Sequence, residues 1–97
     1  MAKASFGNFV KAVVDIDKAV MVVDASFHAD EETYLLSQGS MQQDLWGVNL
    51  YPELDGEDFI EFDSMINVRP GKGNITRGVD DSAIQKKIRS IVDQLIT

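Results

Sequence analysis

The stretch VKAVVDIDKAVMVV, residues 10–23, decides the fold, because it can form either two strands or one helix. Its first part alternates, so that every second apolar side chain falls on one face of an extended chain: Val10, Ala12, Val14 and Ile16. The many β-branched residues favour two strands, at 10–16 and 19–23, joined by a tight turn at 16–18. A helix over 9–23 stays open, because apolar residues also recur there at helical spacing: Phe9, Val13, Ile16, Val20 and Val23.

Two segments further along the chain predict helices. In residues 30–38, DEETYLLSQ, Asp30 is placed to cap the helix start, and Gly39 can end the helix in a left-handed conformation. Residues 82–96 begin with SAIQ, which has the spacing of a capping box. Apolar side chains then recur at helical spacing and should dock on a sheet: Ile84, Ile88, Ile91, Val92 and Leu95.

Two more strands are predicted between these helices. Residues 45–51, LWGVNLY, and 59–69, FIEFDSMINVR, alternate apolar and polar side chains. Pro52 and the acidic loop ELDGED separate them, which favours an antiparallel hairpin. Residues 70–79, PGKGNITRGV, are rich in Gly and predict a connecting loop.

The order of these elements, ββαββα, predicts the fold class. We expect an α+β two-layer sandwich with about four mostly antiparallel strands, a short helix and a C-terminal amphipathic helix. With 97 residues there is room for one core, so residues 9–97 are expected to form a single domain after a short lead-in at 1–8.

The charge is distributed unevenly along the chain. The net charge is −7, yet the region between Lys18 and Arg69 contains no Lys or Arg. Residues 19–68 carry eleven acids and thus a charge of −11, whereas the two ends together carry +4. Such an acidic segment repels nucleic-acid phosphates and attracts cationic partners. A merely solvated acidic surface would give the same count.

Several classes of protein are disfavoured by composition. The chain has no cysteine, which excludes disulfides and thiolate chemistry and fits a reducing compartment. There is no apolar run of the ~20 residues that a membrane span needs, and the first residues lack a signal-peptide pattern. We therefore expect a cytoplasmic protein with no membrane contact, no cofactor and no metal.

Four strings in the sequence are shared with a known family. They are HADEE at 28–32, GSMQQDLWGVNLYP at 39–52, EFDSMINVRP at 61–70, and GN followed by RGV within 73–79. On these strings the chain resembles a family of short bacterial and archaeal proteins catalogued as a domain of unknown function. The resemblance covers roughly residues 9–96 and implies no activity.

Two positions depart from the pattern of that family. Gln43 stands where members usually have Glu, and Ile75 replaces the first Arg of a G-N-R-S-R string, leaving Arg77. If the family has an anion site, the loss of that Arg would weaken it.

The candidate site residues fall into three groups. His28, the only histidine, lies near Asp30 and Glu32, and imidazole with carboxylates can transfer protons or bind metal. A second group is predicted on the polar face of the 45–69 hairpin, where Arg can grip an anion and Asn can donate directed hydrogen bonds: Asn49, Tyr51, Asn67 and Arg69. Asn74 and Arg77 of the following loop complete the candidates for a ligand or partner site. No residue is assigned a catalytic role.

Two functions compete on these observations. The favoured one is a non-enzymatic protein whose acidic surface binds a basic partner, such as a nucleic-acid-acting protein or a toxin. That surface is assigned to the centre of the acidic segment: Asp55, Glu57, Asp58, Glu61 and Asp63. The alternative is a small enzyme, or a ligand- or metal-binding domain, that uses the candidate site residues. Homodimerisation through an exposed sheet edge is a third possibility.

Overall fold

A four-stranded antiparallel sheet forms the centre of the computed structural model, which describes residues 9–23, 27–54 and 56–96. The strands are β1 (Val10–Asp15), β2 (Val20–Val23), β3 (Leu45–Leu50) and β4 (Ile60–Glu61). They lie in the order β2-β1-β3-β4. This arrangement, with the helices α1 (His28–Ser37) and α2 (Ser82–Ile96), confirms the α+β class and the ββαββα order.

The first hairpin confirms the strand interpretation of the segment that follows Phe9. β1 and β2 pair antiparallel, with Ala12 opposite Val23. The turn depends on Asp15, which is buried and accepts the backbone N–H groups of Asp17 and Lys18, each at 2.9 Å. Because the Asp15 carboxylate accepts the N–H groups of the turn that follows it, the turn forms at this point and strand β1 ends there.

Helix α1 begins earlier than predicted. It starts at His28, and Phe27 occupies the cap position without any side-chain hydrogen bond, so the expected cap at Asp30 is wrong. The end was predicted correctly: Gly39 has φ 97°. Its N–H donates to Leu36 O at 3.2 Å while Ser40 N–H donates to Leu35 O at 3.0 Å. These two bonds form a Schellman motif, which needs a residue with positive φ.

The predicted long strand at 59–69 is also wrong. β4 contains only Ile60 and Glu61, which pair with Leu50 and Asn49 of β3. The chain then makes a short 3-10 turn over Met65–Asn67. Ser64 caps this turn, since its hydroxyl accepts the Ile66 N–H at 3.3 Å. Ser and Asn side chains that bond backbone groups compete with a strand ladder, and here they replace it.

The two helices pack on opposite faces of the sheet, whereas a two-layer sandwich would have both on one face. On the α2 face lies the main core: Ala12, Val14, Trp46, Val48, Leu50, Ile60, Val79, Ile88, Ile91 and Val92. On the α1 face a smaller cluster contains Val13, Leu35 and Leu45. The pleat of β1 and β3 sends alternate side chains to the two clusters.

No helix in the described part of the chain has both the length and the apolar character that a bilayer crossing requires. The predicted lead-in at 1–8 and the acidic residue Asp55 lie outside the described residues, as does the side chain of Glu57.

Candidate functional site

The α1 face of the sheet contains most of the buried polar side chains among the described residues. They are Asp15, His28, Glu31, Asn49, Ser64 and Asn67, each less than one-tenth exposed. Burying a polar group is costly unless it is hydrogen-bonded. The hydrogen bonds of each side chain therefore show whether it only stabilises the fold or still has a donor or acceptor free to bind a ligand.

Gly47, in the middle of β3, makes room for this polar cluster. A Cβ at position 47 would lie 2.7 Å from both Cβ and Oγ of Ser64, and 3.2 Å from Cγ of His28. Only a glycine lets two side chains from different elements, the start of α1 and the segment after β4, approach the strand so closely. The glycine thus brings His28 and Ser64 together over β3.

Asn67 replaces a missing strand partner beside Gly47. Its Oδ1 accepts the Gly47 N–H at 2.8 Å, and its Nδ2 donates to Gly47 O at 3.0 Å and to Arg77 O at 2.9 Å. The side chain is fully buried, and its amide satisfies the backbone of β3 past the point where β4 ends. All of these contacts are structural, and they leave Asn67 little capacity to bind a ligand.

His28 packs over the same strand. Its Nε2 lies 2.7 Å from Val48 O. A carbonyl only accepts, so Nε2 carries the proton and the neutral ring keeps its lone pair on Nδ1. Burial lowers the pKa of His28 below its ordinary value, partly offset by the bond to Val48. His28 is therefore neutral at physiological pH.

Asn49 and Tyr51 contact Glu61 across the second hairpin. Asn49 Nδ2 donates to Glu61 Oε1 at 2.9 Å, and the Tyr51 hydroxyl donates to the same oxygen at 2.8 Å. Burial, the bond to Glu61 and the negative charges of Glu61 and Asp63 raise the pKa of Tyr51 to about 12. The carboxylate of Glu61 is thus held by two uncharged donors, which do not neutralise its charge.

The loop after the 3-10 turn is fixed by Asn74. Its backbone pairs with Arg69, and its buried side chain donates to Asn67 O at 2.7 Å and Gly78 O at 2.9 Å. Asn74 Oδ1 accepts the Asp80 N–H at 2.8 Å. The Asn74 amide, like that of Asn67, is thus committed to backbone groups.

Arg77 points elsewhere and forms an ion pair. Its Nε lies 2.6 Å from Asp63 Oδ1, and both side chains are about half exposed, at 56% and 43%. This is the only ion pair between described residues. An exposed pair of this kind contributes roughly 0–1 kcal/mol to stability.

The backbone of Arg69 pairs with Asn74, but its side chain bonds none of the other predicted site residues among those described. Its guanidinium stacks on the Trp46 ring at 4.5 Å and donates to the carbonyls of Ile66, Gln43 and Leu45. Burial lowers the pKa of Arg69, and the charges of Glu32 and Asp44 act in the opposite direction. The side chain lines two adjoining surface cavities of about 440 Å³ and about 600 Å³.

The structure therefore divides the candidate set. It gathers His28, Asn49 and Asn67 along β3, whereas Asp30 is exposed on α1 and Arg69 contacts Trp46 of the α2-face core.

Within the described ranges, no three His, Cys, Asp or Glu side chains converge as metal ligands. Gly47 and Ser64 were not predicted to take part in this site. The only signal was a Gly inside a strand, which often marks a place where another part of the chain approaches the backbone closely.

The acidic residues around β4 form the other candidate surface. We call Glu53, Asp58, Glu61 and Asp63 the β4 acidic surface. Glu53 and Asp58 are exposed in the connection that leads into β4, Glu61 is exposed on that strand, and Asp63 follows it. In contrast, Glu31 is buried and Asp30 lies on α1, so the acidic segment does not form one continuous surface.

Comparison with known proteins identifies one family. Residues 1–95 match a family model described as "Protein of unknown function (DUF5674)". No curated protein and no solved structure matches the chain.

Proposed function

We propose that this chain, which belongs to the DUF5674 family of proteins of unknown function, is a non-enzymatic interaction protein that binds a basic protein partner through the β4 acidic surface. Because the family description names no activity, the proposal rests on the residues themselves. A nucleic-acid-acting protein or a toxin is the kind of partner that such a surface would neutralise.

The observation that carries the proposal is the lack of local neutralisation. Of the β4 acidic surface, only Asp63 has a basic partner, Arg77, among the described residues. Glu53, Asp58 and Glu61 are exposed and without an ion pair to any described residue. Unpaired charges on an edge strand also prevent it from pairing with the edge strand of another molecule. This leaves the surface free to bind a different partner.

The alternative enzyme or ligand site built on His28, Asn49, Asn67 and Arg69 has less support. The amide of Asn67 is fully engaged with backbone groups, and the Arg69 guanidinium stacks on Trp46 and donates to backbone carbonyls. The absence of cysteine supports a reducing, cytoplasmic compartment as part of the proposal.

Affinity capture with charge variants tests this proposal. Immobilised chain is incubated with lysate at low and high salt, and retained proteins are identified by mass spectrometry. The test variant is Glu53→Gln/Asp58→Asn, which removes two exposed charges at nearly constant shape. The matched control is Asp30→Asn/Asp93→Asn, which removes two exposed charges from the helices.

We expect a basic protein that is retained at low salt, released at high salt by screening, and weakened by the test variant more than by the control. Equal weakening by both variants, or no retained basic protein at low salt, contradicts the proposal. A self-associated species in sedimentation that is insensitive to the test variant would instead assign the sheet edge to a second copy of the chain.

A further inference from the structure

We propose that the cavity beside Trp46 and Arg69 binds a small zwitterion, with its carboxylate held by Arg69 and Lys72 and its ammonium group held by Asp80 and Asp81. These residues line one cavity of about 440 Å³, within the usual size range of ligand pockets. The site is separate from the β4 acidic surface, so neither proposal depends on the other.

The first argument is the unused donor capacity of Arg69. A guanidinium has five N–H donors in a fixed fork. Three of them donate to the carbonyls of Ile66, Gln43 and Leu45. No carboxylate bonds this side chain among the described residues. The remaining donors suit an oxyanion, and an arginine held by backbone carbonyls and an aromatic ring is already oriented to receive one.

The second argument is an unsatisfied buried donor. Trp46 lines the same cavity and is only 5% exposed, yet its indole Nε1 is buried without a hydrogen-bond partner. Buried Trp N–H groups usually have an acceptor, and an unpaired one calls for an explanation. The Trp46 side chain forms part of the cavity wall, so a ligand bound there would change the surroundings of an N–H that no protein group holds.

The third argument is that both signs of charge line the cavity. Lys72 is exposed and has no hydrogen bond from its side chain in the described part of the chain. Asp80 accepts bonds from Ile75 N–H and the Thr76 hydroxyl, and Asp81 accepts one from Ala83 N–H. A carboxylate can accept about four bonds, so both retain capacity. Two acids in the cavity disfavour a dianion such as phosphate and favour a ligand that also carries a positive group.

The experiment uses Trp46, the only tryptophan of the chain, as its own probe. The full chain is titrated while the indole N–H resonance and the tryptophan fluorescence are recorded. The probes are two matched pairs, glycine against acetate and 6-aminohexanoate against hexanoate, together with inorganic phosphate. Sodium chloride at equal ionic strength is the blank. The protein variants are Lys72→Gln and, as a matched control on the exposed side of α2, Lys86→Gln.

We expect a saturable shift of the indole resonance with at least one zwitterion, at lower concentration than with its amine-free partner. Lys72→Gln should weaken this binding about five- to tenfold, as expected for the loss of one charge-assisted contact, and Lys86→Gln should leave it unchanged. Tighter binding of phosphate than of either zwitterion overturns the proposal. So do shifts that chloride reproduces, equal effects of the two lysine variants, or no saturable change with any probe.

Discussion

The two faces of the sheet are held by different physical means. On the α2 face, apolar side chains such as Val48 and Ile88 pack in one continuous core, and non-directional burial supplies the stability. On the α1 face, the apolar cluster around Val13 and Leu35 is small. There, Asn67 and its hydrogen bonds to Gly47 replace strand pairing. A side-chain amide can thus continue the pairing of a short edge strand, but the stability of that face then depends on a few hydrogen bonds of fixed direction.

The largest effect is expected from Asn67→Ala. The substitution leaves the buried N–H and C=O of Gly47 without the Asn67 amide, whereas the carbonyl of Arg77 still accepts the Ser64 N–H. Unsatisfied buried groups cost about 1–3 kcal/mol each, so we expect a loss of about 3–5 kcal/mol. Urea unfolding of this variant measures it, with the exposed Gln94→Ala as control. A loss below about 1 kcal/mol would show that the α1 face does not depend on directed bonds.

The next effect is expected from Gly47→Ala. The new Cβ would lie 2.7 Å from Ser64 and 3.2 Å from the His28 ring, which forces one of them away from β3. Overpacking of this kind costs about 1–3 kcal/mol. Gly71→Ala is a matched control, because nothing lies within 4 Å of its Cβ position. Equal thermal stability of the two variants would contradict the close packing over Gly47.

A smaller effect is expected on the α2 face. Ile88→Val removes one methylene from a fully buried position in the main core. We expect a loss of about 0.5–1.5 kcal/mol in the free energy of unfolding, because the shorter side chain at position 88 keeps most of the buried apolar contacts of Ile88. Chemical denaturation checks this value. If Ile88→Val cost as much as Asn67→Ala, the contrast between the two faces would disappear.

The smallest effect is expected from the protonation of His28. Burial lowers the pKa of His28 in the folded chain, so the unfolded chain takes up the proton first as pH falls. The stability contributed by neutral His28 is therefore present above about pH 6.5, the ordinary value, and declines as pH falls towards the folded-state pKa.

The measurement for His28 is the difference in unfolding free energy between the native chain and His28→Gln, followed from about pH 8 to about pH 5. The advantage of the native chain should shrink below about pH 6.5. If the difference in unfolding free energy instead grew as pH fell, the folded chain would stabilise the charged His28 ring. Folding would then raise the pKa of His28, which contradicts the direction given above.

Prediction from the sequence succeeded where the local pattern was strong. The alternation before Asp15 and the apolar stripe ending near Leu95 gave the hairpin and α2, and Gly39 ends α1 as expected. The helix start at Asp30 and the long strand beyond Glu61 were wrong. The helix starts two residues earlier, at His28, without a side-chain cap. The strand stops early because Ser64 caps a 3-10 turn through the nearby Ile66 N–H, and because the Asn67 side chain bonds the backbone of Gly47, twenty residues away.

The candidate site was predicted less well than the fold. His28, Asn49 and Asn67 do gather along β3, yet Asn67 is bonded entirely to backbone groups. Arg69 was assigned to the same polar face, but it stacks on Trp46. Its position follows from contacts with carbonyls of residues 43 and 45, which no local pattern encodes.

By itself, the sequence determined the class of fold, the order of its elements and the acidic centre of the chain. These follow from periodicity and composition, which are properties of neighbouring residues. Tertiary structure alone decided which face each helix covers, where β4 ends and which polar side chains are satisfied. Those outcomes depend on hydrogen bonds between distant residues, such as Asn67 with Gly47, and on space left by a missing Cβ.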